Sequence, residues 1–184
     1  MRDGVGRVIV LFGAPTVGKD TVTAVLSSRS PRYEHFIKHK RGTGSRHGYT
    51  VVDDEELQRL RDAGRVVSEV DRYGSTYAIE RNRLENSIAD GRVILVHSAE
   101  PSEARALLAL GAQLVLLECS RETAAKRLRQ RDPSTVEDRL EVWDLVSSRL
   151  DDLEPLAAVR FATDDLTPGE VADRIEQIVD GGRQ

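Results

Sequence analysis

Continuous apolar runs of strand length alternate along this chain with amphipathic stretches of helix length. Residues 8–12, 93–96 and 114–117 are built from Val, Ile, Leu and one Phe, with no polar residue between them. A strand with one wet face alternates apolar and polar side chains. Uninterrupted runs therefore predict strands buried on both faces, as in a parallel sheet covered by helices. Helical patterns lie between them, at residues 20–28, 54–61, 80–89, 102–110, 121–129, 136–150 and 168–179. Gly64, Gly91 and Gly111 follow three of these as stop signals. The alternation predicts an α/β fold with a parallel core sheet.

The middle of the chain breaks this rhythm. Residues 65–79, RVVSEVDRYGSTYAI, alternate and turn around 71–75, which predicts a β-hairpin. Residues 40–48, KRGTGSRHG, read as a basic, glycine-rich loop. Residues 34–90 are thus expected to form an insert on a core made of 1–33 and 91–184. The 184 residues suit one domain.

Composition narrows the classes. With 39% apolar and 32% charged residues the chain can bury a core and stay soluble, and its net charge of -4 argues against a nucleic-acid binder. No apolar run reaches the roughly 18–20 residues of a membrane helix, and the first residues lack a secretory pattern. Cys119 is the single cysteine, so no intramolecular disulfide forms and a reducing, cytoplasmic setting is expected. Of 27 basic residues only four are lysines, at 19, 38, 40 and 126. Arginine clusters are background here, and Lys19 stands out.

Lys19 stands in the run Gly13-Ala14-Pro15-Thr16-Val17-Gly18-Lys19-Asp20-Thr21, which follows the first predicted strand and opens a helix. That is the context a phosphate-binding loop requires. Glycines let backbone N–H groups curl around a phosphate, the helix N-terminus adds partial positive charge, and the lysine reaches the outer phosphates. The position after the lysine, usually Ser or Thr, is Asp20. It fits either a Mg²⁺ ligand beside a nucleotide or an acidic residue favoured by the helix dipole. Asp71-Arg72-Tyr73-Gly74 matches a short GTPase pattern but falls in the hairpin turn, and no NKxD guanine motif exists. Phosphoryl transfer by a kinase is the better class.

Over residues 7–178 the chain resembles the guanylate kinase family of P-loop kinases. GAPTVGKDT is similar to its ATP loop, HKRGTGSRHGYTVVDDEEL to its acceptor-phosphate segment, AAKRLRQRDPSTVEDRL to its arginine-bearing lid, and ATDDL to the run near adenine. The resemblance implies a three-layer α/β/α P-loop fold with a helical lid at about 129–139, ATP and Mg²⁺ as cofactors, and a small phosphorylated acceptor, foremost a nucleoside monophosphate. It implies that Arg41, Tyr49 and Tyr77 hold the acceptor phosphate, with Arg46 as a second arginine. Arg131 and Arg139 match the lid arginines, while Arg127 is a candidate helix-face residue. It implies neither nucleic-acid nor membrane partners, and a monomer or homodimer.

The family's guanine-reading positions carry Ile37, Ser68 and Ala99 instead of a hydroxyl and two carboxylates. Glu69, one residue away, could substitute if the strand bulges. The ribose 1,5-bisphosphate phosphokinase branch is also similar, in its GKD loop and in small polar residues such as His97-Ser98 ending the core strand. A phosphorylated sugar is therefore the alternative acceptor. A catalytically silent binding module is the alternative of another class, but such modules commonly lose the lysine kept here as Lys19.

Among the remaining candidates the structural reading prevails. His97 is expected to be a hydrogen-bonded histidine at the sheet edge, Cys119 and Trp143 core residues, and Asp53 with Glu56 a helix cap.

Overall fold

The computed structural model describes residues 7–44, 46–72 and 74–181. Its centre is a five-stranded parallel sheet: β1 (Arg7–Phe12), β2 (Tyr33–His35), β7 (Val93–Ser98), β8 (Gln113–Glu118) and β9 (Val159–Ala162), in the order β2-β7-β1-β8-β9. The three apolar runs supply its middle, and Ile9, Leu11, Phe12, Leu95, Val96, Leu114 and Leu116 are fully buried. Each such side chain contributes about 1.5–3 kcal/mol of transfer free energy. Burial on both faces is why these strands carry no polar alternation.

Helices α1 (Lys19–Arg29), α3 (Arg81–Ala89), α4 (Pro101–Leu108), α5 (Arg121–Arg131), α6 (Val136–Ser147), the short α7 (Leu150–Leu153) and α8 (Pro168–Gly181) complete a three-layer α/β/α arrangement. The expected helix at 136–150 ends three residues early, at Ser147, and resumes as α7. The two edge strands escape the pattern because an edge is half wet: in β9, Phe161 is buried while Arg160 pairs with Glu118. Cys119 and Trp143 lie in and against the core as expected. No helix among the described residues is long and apolar enough to cross a membrane.

A second sheet stands beside the first, ordered β4-β3-β6-β5 from β3 (His39–Gly42), β4 (Thr50–Val51), β5 (Val66–Arg72) and β6 (Ser75–Glu80). The expected hairpin is β5–β6, antiparallel with Arg72 opposite Ser75. The expected loop at 40–48 is corrected in part: its first residues belong to β3, which pairs with β6 from His39↔Ala78 to Gly42↔Ser75. A strand reading HKRG hides behind its charges, and only the partner strands reveal it. Helix α2 (Asp54–Asp62) is tied to this sheet by the pairs Arg41–Asp54 and Arg61–Glu69, and the Asp53 carboxylate accepts the Glu56 amide at 2.8 Å, the expected cap.

Candidate active site

At the carboxyl end of β1 the chain turns sharply between its neighbours. A Cβ on Gly13 would lie 2.3 Å from the Leu117 carbonyl oxygen, so glycine is required there. Thr16 and Gly18 both take positive φ, 70° and 103°, which curls the loop before α1 begins at Lys19. Such a curl directs successive N–H groups inward as an anion nest, with the helix N-terminus behind it. Lys19 Nζ donates to Gly13 O at 2.6 Å and Ala14 O at 2.8 Å. Burial lowers its pKa to about 8; Asp20 opposes the shift, and Lys38 and Arg72 add to it. The ammonium is thus held over the loop by carbonyls that phosphate oxygens can replace.

Beside the loop opens a cavity of about 590 Å³ lined by Pro15, Thr16 and Gly18 to Thr21 of the loop, and by Arg127, Arg131 and Arg139. The structure thus brings both candidate lid arginines to the phosphate loop. Arg127 is more than a helix-face residue. Its guanidinium donates to Thr16 O at 3.0 Å, Thr163 Oγ1 at 3.1 Å and Thr163 O at 2.8 Å, tying the loop to the segment after β9. A smaller cavity of about 170 Å³ adjoins it, with Val17, Val22, Leu166 and Val171 in its wall. Asp164 turns away from that slot to accept from the Ser120 amide and hydroxyl.

The second sheet lies within electrostatic reach of the loop, Arg72 acting on Lys19 and Asp20 on Tyr49, and alternation decides which of its side chains share a face. Register places Lys40 beside Tyr77 and Val70 on one face, and Arg41 beside Thr76 and Asp71 on the other. Lys40 Nζ lies 5.6 Å from the ring centroids of both Tyr49 and Tyr77, which are themselves 5.2 Å apart. Burial raises the Tyr49 pKa, helped by Tyr77 and Asp20, so its hydroxyl stays a donor. Arg41 points the other way, pairing with Asp54 at 3.3 Å and donating to Thr76 Oγ1 at 3.1 Å. Lys40, and not Arg41, sits with the two tyrosines, because a one-residue step in a strand reverses the side chain. Arg46 is exposed in the loop between β3 and β4 and joins no cluster. Sequence reasoning also passed over Lys38, whose ammonium pairs with the buried Glu103 of α4, and Arg72, whose charge reaches Lys19 and Tyr49. Lysine's rarity in this chain was the available signal.

With this geometry in hand, a family model described as an AAA domain matches residues 9–151.

The chain belongs to the AAA domain family.

Within this family its likeness is to small-molecule kinases. A guanylate kinase of Oleidesulfovibrio alaskensis is 29% identical over 76% of this chain and 73% of that protein. A ribose 1,5-bisphosphate phosphokinase PhnN of Pseudofrankia inefficax is 26% identical over the whole chain and 90% of the relative. The crystal structure of guanylate kinase from Anaplasma phagocytophilum shares the fold, with a TM-score of 0.69 at 20% identity over 98% of this chain and 88% of that one. These matches bear out the resemblance to the guanylate kinases, and the chain is a phosphotransferase.

In this AAA-domain chain the positions that the resemblance assigns to reading a guanine carry Ile37, Ser68 and Ala99. The anticipated bulge is present, between Val66 and Ser68, but it does not bring Glu69 inward. Glu69 shares the outer face with Ala78 and receives Arg61 Nε at 2.9 Å and Nη2 at 2.5 Å. That pairing sets Glu69 on the face away from Lys40 and Tyr77. His97 is hydrogen-bonded as expected: its Nε2 lies 2.7 Å from Thr23 Oγ1, and its ring sits 4.1 Å from that of His35. Burial pushes its pKa down to about 2, helped by His35, Lys19 and Lys38. Its Nδ1 stands 3.5 Å from Asp20 Oδ1, and that Asp20 carboxylate is 82% exposed at the mouth of the phosphate cavity.

Proposed function

We propose that this enzyme transfers the γ-phosphoryl group of ATP to a phosphate group on a small acceptor that carries no purine, a phosphorylated sugar. The observation that carries this reading is the make-up of the inner face of the second sheet. Lys40, Tyr49 and Tyr77 cluster there, while both carboxylates of β5 lie on the outer face, Glu69 held by Arg61 and Asp71 by Thr76. A guanine enclosed in such a site would leave N–H donors unpaired, at about 1–3 kcal/mol each. An acceptor made of phosphates and hydroxyls suits Lys38, Lys40 and Arg72 better.

In the mechanism, the nest at residues 13–18 and the N-terminus of α1 bind the donor's phosphates, and the apolar slot by Val17, Val22 and Leu166 takes its adenine. Lys19 leaves its two carbonyls for phosphate oxygens, so its charge is spent where negative charge develops. Lys40, Tyr49 and Tyr77 orient the acceptor phosphate. Arg131 and Arg139 stand for a lid, residues 129–139, that closes on the transferring group and excludes water. The exposed Asp20 carboxylate gives the oxygen donor that Mg²⁺ requires, so the residues fit that cation. When bound, Mg²⁺ neutralises and orients the phosphates. The acceptor phosphate is already anionic, so no general base is needed; positioning and charge neutralisation carry the rate. An ATP-dependent enzyme with a single buried thiol suits the cytoplasm.

A nucleoside monophosphate is the second reading, favoured by the 29% identity to a guanylate kinase and by the paired tyrosine rings. An ADP-release assay across GMP, dGMP, AMP, CMP, UMP and ribose 1,5-bisphosphate separates them. Turnover of ribose 1,5-bisphosphate is the expected result, and rapid turnover of GMP alone overturns the sugar reading. No turnover together with no ATP binding would leave a silent binding module.

A further inference from the structure

Beneath the phosphate loop, Asp20 meets three side chains to which the transfer mechanism gives no role: Thr23, His35 and His97. Asp20 and Thr23 lie three residues apart on α1 and so share one face of the helix. His97 sits at the carboxyl end of β7, opposite Leu11 of β1 in the parallel register, and so directly beside the strand that feeds the loop. Its ring is fixed from two sides, by Thr23 Oγ1 at 2.7 Å from Nε2 and by the His35 ring at 4.1 Å. Its other nitrogen, Nδ1, lies 3.5 Å from Asp20 Oδ1.

That separation is long for a hydrogen bond of good strength. It is close to what two donors of one cation show: ligand bonds of about 2.1 Å meeting at roughly 90–110° hold their donor atoms about 3.0–3.4 Å apart. The back of the ring fits the same reading. A metal-ligating histidine donates its other ring N–H to a second group that fixes its tautomer, and Thr23 Oγ1, buried on α1, is able to accept in that place. Among the described residues no group of three or more His, Cys, Asp and Glu could hold a metal alone. Two protein donors are enough where phosphate oxygens complete the shell.

We propose that Asp20 and His97 together form an oxygen–nitrogen site for the divalent cation that accompanies the nucleotide, and that its imidazole donor turns the site from Mg²⁺ toward Mn²⁺ and similar first-row metals. Mg²⁺ takes oxygen ligands almost exclusively, whereas imidazole is a good ligand for first-row transition metals. This inference rests on the reading of the loop as a nucleotide site, but not on the identity of the acceptor. The hydroxyl usual after the lysine and the carboxylate on α1 are then not interchangeable details: the carboxylate reaches toward a nitrogen that a hydroxyl would leave alone. Thr23 is a positioning residue, acting through the ring it holds.

The test needs no acceptor. The full chain is loaded with Mn²⁺ and ADP, and pulsed EPR is recorded for coupling to a directly bonded nitrogen. The expected spectrum shows a histidine nitrogen that shifts on ¹⁵N-histidine labelling and disappears in His97→Gln. Calorimetry should show the preference for Mn·ADP over Mg·ADP narrowing by about tenfold in that variant, with a smaller narrowing in Thr23→Val. Mn·ADP bound without nitrogen coupling in the wild type overturns the proposal while leaving the nucleotide site intact. Coupling that persists in His97→Gln overturns the assignment to His97. Failure of ADP to bind with either metal overturns the nucleotide reading and this inference with it.

Discussion

The phosphate loop and the second sheet are made by different means. The phosphate loop is a backbone device: a glycine where a Cβ would strike the Leu117 carbonyl, two residues at positive φ, and a helix that starts at Lys19. The second sheet is a side-chain device, where one step along β3 separates Lys40, among the tyrosines, from Arg41, paired to Asp54 on its other face. A backbone site follows from spacing and tolerates what surrounds it. A side-chain site depends on register, so its chemistry changes when a strand is read one position out.

The sharpest way to break this contrast is to remove the one side chain the backbone site depends on. Lys19→Ala should lower ATP-dependent turnover by about a thousandfold or more while thermal unfolding stays near wild type. Unchanged turnover would end the mechanism. On the second sheet, Lys40→Ala should raise the acceptor KM by about 10–100-fold, the worth of a charged hydrogen bond to phosphate, with the ATP KM unmoved. Arg41→Ala should change that KM by less than about threefold, since an exposed pair contributes little. Steady-state kinetics that reverse the order of these two variants would return Arg41 to the acceptor and undo the register argument.

A third measurement tests how deeply Lys19 is held. Burial sets its pKa near 8 in the free protein, while bound phosphates keep it protonated. Above that pH the complex retains a proton that the free protein has lost, so binding must take one up. ADP affinity should therefore be level below about pH 8 and fall by about tenfold per unit above it. Calorimetry between about pH 7 and about pH 10, with Lys19→Arg as the variant that keeps its charge, reads this directly. A level wild-type profile would show that Lys19 is not desolvated. The smallest effect is expected from Glu69→Gln, which frees Arg61 on the outer face and should shift acceptor KM by less than about twofold. A large KM increase there would mean that the strand turns over when the acceptor binds.

Most of the core was legible before any coordinates. Apolar runs at 8–12, 93–96 and 114–117 became the middle strands because burial on both faces removes polar alternation, and Asp53 capped α2 as its spacing with Glu56 predicts. The edges were not legible. β2 and β9 each pair on one side only, and β3 is charged along most of its length, so neither pattern nor propensity marks them. The same blindness carried into the site. Arg127 read as a surface arginine because its carbonyl partners, Thr16 and Thr163, come from distant loops. Glu69 read as a substitute ligand because a bulge was anticipated correctly while its partner Arg61, eight residues earlier on another element, was not.

By itself the sequence determined that this chain makes an α/β core with a phosphate loop at the end of its first strand, because glycine spacing, strand burial and helix starts are local properties. Through the resemblance to the guanylate kinases it also put Ile37, Ser68 and Ala99 at the positions expected to read a guanine. Only the tertiary structure decided which charges meet in the cleft. Lys40 turned in and Arg41 out, Lys38 met Glu103, and His97 met Asp20, because strand register and the crossing of β7 beside β1 bring together residues that no local pattern connects.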